Sequence, residues 1–337
     1  MNRRKLSVLL LVAMAICLLS FGSVISEGER PIKIGISLPT QREERWVLDK
    51  EGFEKAAAEA GIQIEIQIAD NDAGRQQNQC DNLLSQGIDV LIVAPHDGEA
   101  AKNIVEMAHA EGVPVIAYDR PILNADLDLY VTFDQYHIGW LMGDYLNTHL
   151  ESGNIVILSG DPGDPTCVPL KQGAVDAIQE KIDSGAYVVV LEQECKDWEA
   201  REALKHMENA LTLTDNDIQG VIAPNDGTAG GIIQALAAQD LAGKVIVTGQ
   251  DSEADAIKRI IEGTQSMTVF FDTREMSAAA FAAAVKIAKG EDPGATGVEN
   301  NGFKDVPNLQ FPASQVTRDT YKELLIDSGY MSEDDLN

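Results

Sequence analysis

The stretch PVIAYDRP, residues 114–121, decides the fold because it joins a buried strand to two charged side chains. Its apolar run ends in Asp119 and Arg120, and Pro121 prevents a helix from continuing through them. In open α/β sheets, small ligands bind in the crevice beyond the carboxyl ends of the strands, so this pair favours ligand recognition. A surface ion pair, which contributes little to stability, is the alternative. This stretch alone leaves both interpretations open.

Strands and helices alternate on both sides of this stretch. Before it, the apolar runs 32–38, 62–69 and 90–94 are separated by helical patterns that end at glycine. The same alternation restarts at Asn154. Parallel strands need crossover helices, so each half predicts a doubly wound α/β unit with a sheet covered on both faces. Two such units predict a cleft between them, and clefts between domains are preferred ligand sites.

Polar and aromatic side chains recur after the strands of both halves. They are Arg45, Trp46, Asp119 and Arg120 in the first half, and Asp164, Trp198, Asn225, Asp226 and Asp251 in the second. Carboxylates and amides accept the protons of sugar hydroxyls, arginine donates to them, and an indole covers the apolar face of a sugar ring. Taken singly, Trp46 could fill the core, Asp226 could cap a helix and Asp251 could lie in a turn. Their recurrence at one end of successive strands favours a sugar site.

Composition excludes several other classes of function. With 45% apolar residues, the chain is expected to be globular, as one large or two medium domains. Its formal net charge of −28 argues against nucleic acid or an anionic membrane surface as a partner. The glycines at 227–231 lack the spacing and lysine of a phosphate loop, and no nucleophile elbow is found. Residues 70–81 lack the glycine and glutamate of a calcium loop, and the histidines lack zinc spacing. We therefore expect no metal and no cofactor.

The N-terminus predicts export. The basic segment Asn2–Lys5 precedes the apolar run Leu6–Leu19, and small residues follow up to an expected cleavage site near Ser26. A permanent membrane anchor is the alternative, but the apolar run is short for a membrane span. We expect a signal peptide at 1–26 and a soluble periplasmic or otherwise extracytoplasmic product.

Three cysteines follow the predicted signal peptide. Cys80 lies at helical spacing with Leu83 and Leu84, so it is expected to be a small buried residue. Cys167 and Cys195 follow predicted strands of the same half, and an oxidising compartment makes a disulfide between them plausible. Free thiols are the open alternative, because spacing establishes neither connectivity nor geometry.

The chain resembles the periplasmic sugar-binding proteins of ABC transporters, of the ribose, galactose and xylose type, and in particular their xylose branch. The matching stretches are Glu44–Trp46, Ala117–Arg120, Asn225–Asp226, Thr228–Gly231, Gly249–Asp251, Asn300–Gly302 and Lys304–Pro307. The resemblance implies a type I periplasmic binding protein fold, with two Rossmann-like lobes joined by a three-segment hinge. It places the N-terminal lobe at 27–134 with 273–306, and the C-terminal lobe at 135–272 with 307–337.

The resemblance also implies a function, namely capture of one monosaccharide by hinge closure and its delivery to a membrane permease. The implied ligand contacts are Arg45, Asp119, Arg120, Asp164, Trp198, Asn225 and Asp251, to which we add Trp46, Thr166 and Phe271. Thr166 and Phe271 stand where the xylose branch has an asparagine and a lysine, which changes the hydroxyls that can be paired. The expected ligand is therefore xylose or a related aldose. A cyclitol or a furanosyl signalling molecule, feeding chemotaxis through a chemoreceptor, is the alternative.

Two other classes of protein compete with a receptor. A sugar-responsive transcription regulator shares the two-lobed fold, but it needs a DNA-binding domain and a basic face, which the acidity and the signal sequence contradict. An exported carbohydrate enzyme would use Asp119 and Asp251 as a carboxylate pair and would turn sugar over. We expect a monomeric binding protein that is not an enzyme.

Overall fold

The structure is a computed structural model that describes residues 30–336, and in it strands and helices alternate as the apolar patterns predict. The strands are β1 (Lys33–Leu38), β2 (Gln63–Ile68), β3 (Val90–Val93), β4 (Val115–Tyr118), β5 (Leu129–Phe133), β6 (Gly153–Ser159), β7 (Tyr187–Glu194), β8 (Gly220–Ile222), β9 (Ile246–Val247), β10 (Thr268–Phe270), β11 (Gly297–Asn300), β12 (Asp305–Phe311) and β13 (Ser314–Val316). The helices are α1 (Glu44–Ala60), α2 (Ala73–Ser85), α3 (Lys102–Ala110), α4 (Gln135–His149), α5 (Cys167–Asp183), α6 (Ala200–Leu213), α7 (Asp226–Ala237), α8 (Ala254–Glu262) and α9 (Thr273–Ala288).

The first sheet has seven strands in the order β11-β12-β5-β4-β3-β1-β2. Strands β1 to β5 and β12 pair in parallel, and β11 runs antiparallel to β12. Strands β3, β4 and β5 are buried along their whole length, which explains why they read as nearly continuous apolar runs. The residues that follow these strands therefore emerge at one edge of the sheet.

The second sheet is smaller and has the parallel order β7-β6-β8-β9. A separate antiparallel pair joins β10 to β13. Apolar side chains such as Val156, Val221 and Ile232 form one core on this sheet, and Ile155, Ile178 and Ile222 belong to another. Each lobe thus has its own sheet, which confirms the α/β class with two doubly wound lobes.

The chain passes between the lobes three times. It crosses after Phe133, after Phe270 and between Phe311 and Ser314. As the resemblance implied, the alanine-rich helix α9 packs on α1 and β3 of the first lobe. The expected boundary between residues 306 and 307 is corrected, because β12 stays paired with β5 through Phe311. Pro307 precedes the residues paired with β5, so its missing N–H does not interrupt that ladder.

The predicted signal peptide, residues 1–26, lies outside the described residues and stays a prediction. Among residues 30–336, no helix combines the length and the apolar character needed to cross a membrane.

Of the two alternatives left open for Cys167 and Cys195, the structure has the free thiols and not the disulfide. They belong to different packing clusters, and the Cys167 thiol donates instead to the Asp161 carbonyl at 3.3 Å. Burial raises the pKa of Cys195 to about 12 and that of Cys167 well above its usual value, so neither readily forms the thiolate needed for exchange. Cys80 is fully buried beside Leu83, as predicted.

Candidate ligand-binding site

One cavity between the lobes is lined by every side chain that was predicted as a ligand contact. The first lobe contributes Arg45, Trp46, Asp119 and Arg120, and the second contributes Asp164, Thr166, Trp198, Asn225 and Asp251, with Phe271 directly after β10. The cavity encloses about 390 Å³ between protein atoms, part of it open to solvent.

Three further residues line the cavity although the sequence patterns did not single them out as contacts. They are Glu43, Gln135 and Gln250. Glu43 lies directly before α1, Gln250 directly before Asp251, and Gln135 directly after the first crossing between lobes. These three residues could have been found from the sequence by their position next to a predicted contact or next to a segment that joins the two lobes.

Asp226 lies beneath the cavity and does not line it. Its carboxylate accepts hydrogen bonds from the Glu253 backbone at 3.1 Å, Gln265 Nε2 at 2.7 Å and the Thr268 hydroxyl at 2.8 Å. Asp226 thus ties together the loops that carry the neighbouring contacts. Burial raises its pKa to about 7, and the Asp251 charge adds to that effect.

Arg45 lies on the buried face of α1 and is held there by two buried acids, one on α1 and one after β4. Its Nη1 donates to Asp119 Oδ1 and its Nη2 to Asp49 Oδ2, both at 2.9 Å. Asp49 also accepts from the Tyr118 hydroxyl, and the i,i+4 spacing within α1 places Arg45 and Asp49 on the same buried side. Burial raises the pKa of Asp49 to about 6, although Arg45 opposes that shift. The guanidinium, centred 4.3 Å from the Trp46 ring, is therefore a fixed donor at the cavity wall.

Asp119 has the left-handed backbone conformation, with φ 63°. Its N–H donates to the Val131 carbonyl at 2.7 Å, and its own carbonyl accepts from the hydroxyls of Tyr130 and Thr132 at 2.8 and 2.9 Å. Such strained conformations persist where surrounding contacts hold them, and they cluster at functional sites.

Arg120 connects the two lobes. Its Nε lies 2.7 Å from Asp164 Oδ2, and its guanidinium is 5.2 Å from the Trp46 ring centre. The other Asp164 oxygen accepts from the Thr166 backbone at 3.0 Å and from the Thr166 hydroxyl at 2.6 Å. Burial raises the pKa of Asp164, and Arg120 and Thr166 act against that shift. Thr166 therefore supports the interlobe ion pair as well as lining the cavity.

Trp198 lies against the backbone of Gly160. A Cβ atom at Gly160 would come 2.3 Å from the indole Cζ2, so this close approach requires glycine. The backbone at Trp198 is left-handed, with φ 56°. Its Nε1 is buried and has no hydrogen-bond partner among residues 30–336, so this donor is available to a ligand.

Asn225 and Asp251 form the wall opposite the first lobe. Asn225 Oδ1 caps α7 by accepting from the Thr228 N–H at 2.9 Å, while its Nδ2 lies 3.5 Å from Asp251 Oδ2. Asp251 has φ 99°, and its N–H donates to the Val269 carbonyl at 3.0 Å. Burial raises the pKa of Asp251 to about 8, with Arg45 acting in the opposite direction.

Phe271 gives the cavity an apolar wall beside the hinge. Its ring centre lies 4.4 Å from that of Phe133, and the Arg45 guanidinium is 5.3 Å from it. The cavity thus combines aromatic faces with fixed donors and acceptors, as recognition of a polyhydroxylated ring requires.

Comparison with known proteins identifies the family. Residues 34–292 match the family model described as periplasmic binding protein domain. The chain is also 38% identical over 312 residues to the D-xylose-binding periplasmic protein of Escherichia coli (strain K12), covering 93% of this chain and 94% of that relative.

Solved structures agree with this assignment. The carbohydrate transporter solute binding protein from Chloroflexus aurantiacus in complex with D-glucose matches with a TM-score of 0.86 and 36% identity, over 91% of this chain and 98% of that chain. An ABC transporter solute binding protein from Clostridium phytofermentans with bound β-D-glucose matches with a TM-score of 0.83 and 32% identity, over 90% and 100% of the two chains. The family consists of binding proteins, so the enzyme that would use Asp119 and Asp251 is set aside. The chain belongs to the periplasmic sugar-binding proteins of ABC transporters.

Proposed function

We propose that the protein captures one aldose monosaccharide, xylose or a glucose-like pyranose, between its lobes and delivers it to an ABC permease. The observation that carries this proposal is a set of buried polar atoms that line the cavity without partners among residues 30–336. They are Glu43 Oε2, Gln250 Oε1 and Trp198 Nε1. A buried polar atom without a partner costs about 1–3 kcal/mol, so a ligand that pairs all three is favoured.

Sugar hydroxyls suit these atoms because each hydroxyl both donates and accepts. A hydroxyl can donate to Glu43 or Gln250, and another can accept from the indole of Trp198. The guanidiniums of Arg45 and Arg120 supply further donors, and the aromatic rings provide faces for the C–H side of a pyranose. The proposed contacts are therefore the ten predicted residues together with Glu43, Gln135 and Gln250.

Contacts from both lobes couple sugar binding to hinge closure. Outside the cavity, the Gly98 N–H donates to the Gly163 carbonyl at 3.1 Å, and Arg42 pairs with Glu199 at 3.0 Å. A hinge opening would separate these pairs, and a sugar that touches both walls would favour the closed state by its differential affinity.

The names of the relatives support an aldose, since one is called xylose-binding and two structures hold glucose. The relatives' names likewise support a periplasmic location, which the predicted signal peptide would provide. We also propose that the protein is a monomer and that its sugar-bound form can contact a chemoreceptor.

A thermal-shift screen of the mature protein against pentoses, hexoses and cyclitols tests the proposal. At a hundredfold excess over Kd, a true ligand adds about 2.7 kcal/mol to the free energy of unfolding. Trp198→Ala should remove the shift without unfolding the protein, whereas Trp140→Ala, on the exposed side of α4, should keep it. If neither a neutral sugar nor a cyclitol moved the melting temperature, the proposal would be wrong. If only cyclitols moved it, the ligand would be a cyclitol and not an aldose.

A further inference from the structure

The cavity contains more carboxylates than cations. Its acids are Glu43, Asp119, Asp164 and Asp251, and its cations are Arg45 and Arg120. Both cations are already engaged: Arg45 pairs with Asp49 and Asp119, and Arg120 pairs with Asp164. Within residues 30–336, neither Glu43 nor Asp251 forms an ion pair with a basic side chain. Two acids of the cavity are therefore left without a counter-charge.

These two acids are buried and belong to opposite lobes. Glu43 is 9% exposed, and its Oε2 has no hydrogen-bond partner in the described part of the chain. Asp251 is 5% exposed, and its nearest amide, Asn225 Nδ2, lies at the outer limit of a hydrogen bond, 3.5 Å away. Glu43 precedes α1 of the first lobe and Asp251 follows β9 of the second. Closure thus brings two unpaired acids to the walls of one cavity.

The charged groups around each acid do not neutralise it. Arg120, Arg42 and Arg45 lower the pKa of Glu43, but burial dominates and leaves that pKa raised. Burial also raises the pKa of Asp251; Arg45 opposes this shift, whereas Glu253, Glu43 and Asp119 reinforce it. Both acids therefore gain from a ligand that supplies positive charge.

We propose that the site accepts protonated amino sugars, that it binds at least one of them more tightly than the neutral parent sugar, and that it rejects sugar acids and sugar phosphates. An ammonium group presents three donors and no acceptor, which suits an unpartnered carboxylate such as Glu43. Hydrogen bonds between charged groups are about twice as strong as neutral ones. An anionic sugar would find no free cation among the residues that line the cavity, because Arg45 and Arg120 are already paired with acids. This inference rests on the proposed function and narrows its ligand class.

Calorimetry with D-glucose and its single-amine analogues, one for each ring hydroxyl, tests the inference at about pH 6.5, where an amine with a pKa near 8 is protonated. We expect at least one analogue to bind about tenfold more tightly than glucose, which is the gain of one charge-assisted hydrogen bond. Glucuronate and glucose 6-phosphate should not bind at a hundredfold higher concentration.

A matched pair of variants locates the charge responsible. Glu43→Gln keeps the shape of the side chain and should lower the ratio of amine to glucose affinity about tenfold. Glu51→Gln removes the same charge from the exposed side of α1 and should leave that ratio unchanged.

Three results would overturn the inference, namely no amine binding more tightly than glucose, glucuronate or glucose 6-phosphate binding as tightly as glucose, or a ratio that Glu43→Gln and Glu51→Gln leave equal. Glucose binding in those cases would leave the proposed sugar-binding function intact. Failure of glucose and of every amine to bind would reject the inference and the proposed function together.

Discussion

At the residue scale, the site depends on backbone conformations that side chains rarely adopt. Asp119, Trp198 and Asp251 have φ values of 63°, 56° and 99°. Each such residue costs of the order of 1–3 kcal/mol, which the surrounding structure has to offset. All three residues line the cavity, so local strain coincides here with the proposed ligand contacts.

Gly160→Ala should weaken sugar binding strongly. The added Cβ would come 2.3 Å from the Trp198 indole, which would have to leave its place at the cavity wall. We expect the affinity for glucose or xylose, measured by calorimetry, to fall at least about tenfold, because the contact of the sugar's C–H face with the indole and one buried donor are both lost. Gly74→Ala is the control, since Gly74 is exposed on α2 and its Cβ would approach only Asp72 Oδ1, at 3.3 Å, away from the cavity. Unchanged affinity in Gly160→Ala would show that the indole is not a ligand contact.

The raised pKa values of the buried acids predict that the free energy of unfolding of the ligand-free protein decreases as pH rises. Burial raises the pKa of Asp251 from 3.8 to about 8 and that of Asp226 from 3.8 to about 7. The folded state therefore holds more protons than the unfolded chain above about pH 4, and this stabilisation is lost as pH rises through the folded pKa values.

Urea unfolding between about pH 5 and about pH 9 measures this effect as a falling free energy of unfolding. Asp251→Asn should flatten the decline and stabilise the ligand-free protein at the alkaline end, whereas Asp255→Asn, on the exposed side of α8, should not. A stability that rises over this pH range would contradict the assigned pKa directions.

At the element scale, a helix of one lobe is capped by the other lobe. The first residue of α8, Ala254, donates its N–H to Glu44 Oε2 at 2.9 Å, and Glu44 is the first residue of α1. The preceding residue, Glu253, makes no side-chain cap of its own. The Glu44 carboxylate thus lies at two helix N-termini, where a negative charge is favourable. This contact exists only while the lobes are together, so it stabilises the closed state.

Glu44→Ala should weaken sugar binding without destabilising the separate lobes. Loss of a helix cap costs about 0.5–2 kcal/mol, which corresponds to a rise in Kd of roughly two- to thirtyfold. Stopped-flow fluorescence should show the change mainly as faster sugar release. Glu59→Ala, which alters an exposed residue of the same helix, should leave both the Kd and the rate of sugar release unchanged. An equal loss of melting temperature with and without sugar would mean that the contact supports folding and not closure.

At the scale of the whole molecule, acidity dominates. The formal net charge is −28 over 337 residues, and such an excess destabilises the compact state through self-repulsion. The two arginines that line the cavity are already paired with acids, so neither the overall charge of the protein nor the cavity favours an anionic ligand.

Added salt should therefore stabilise the ligand-free protein. Raising NaCl from about 10 mM to about 500 mM shortens the Debye length from roughly 30 Å to a few ångströms and screens the repulsion. We expect the melting temperature, followed by circular dichroism, to rise by a few degrees. Sucrose at equal osmolality is the control, because it is excluded from the protein surface but does not screen charge. A melting temperature that fell with added salt would contradict the expected screening of the repulsion.

The residues that the sequence proposed as ligand contacts lie together because the signal for them is topological. Parallel strands end at a common edge, so polar residues after successive strands had to converge, and the ten predicted contacts share one cavity. The same reasoning could not distinguish Asp226, which supports loops beneath the cavity, from Asp251, which lines it. Both acids follow strands of the second half, and the direction of a side chain depends on its backbone φ and on distant partners.

By itself, the sequence determined the alternation of strands and helices, the two lobes and the residue types at the strand ends, because periodicity and chain order are local properties. Only the tertiary structure decided that the last crossing follows Phe311, that Cys167 and Cys195 are free, and that Glu43 and Asp251 line one cavity without counter-charges. The physical reason is that pairing, burial and charge balance arise between residues far apart in the chain, which no pattern along the sequence can specify.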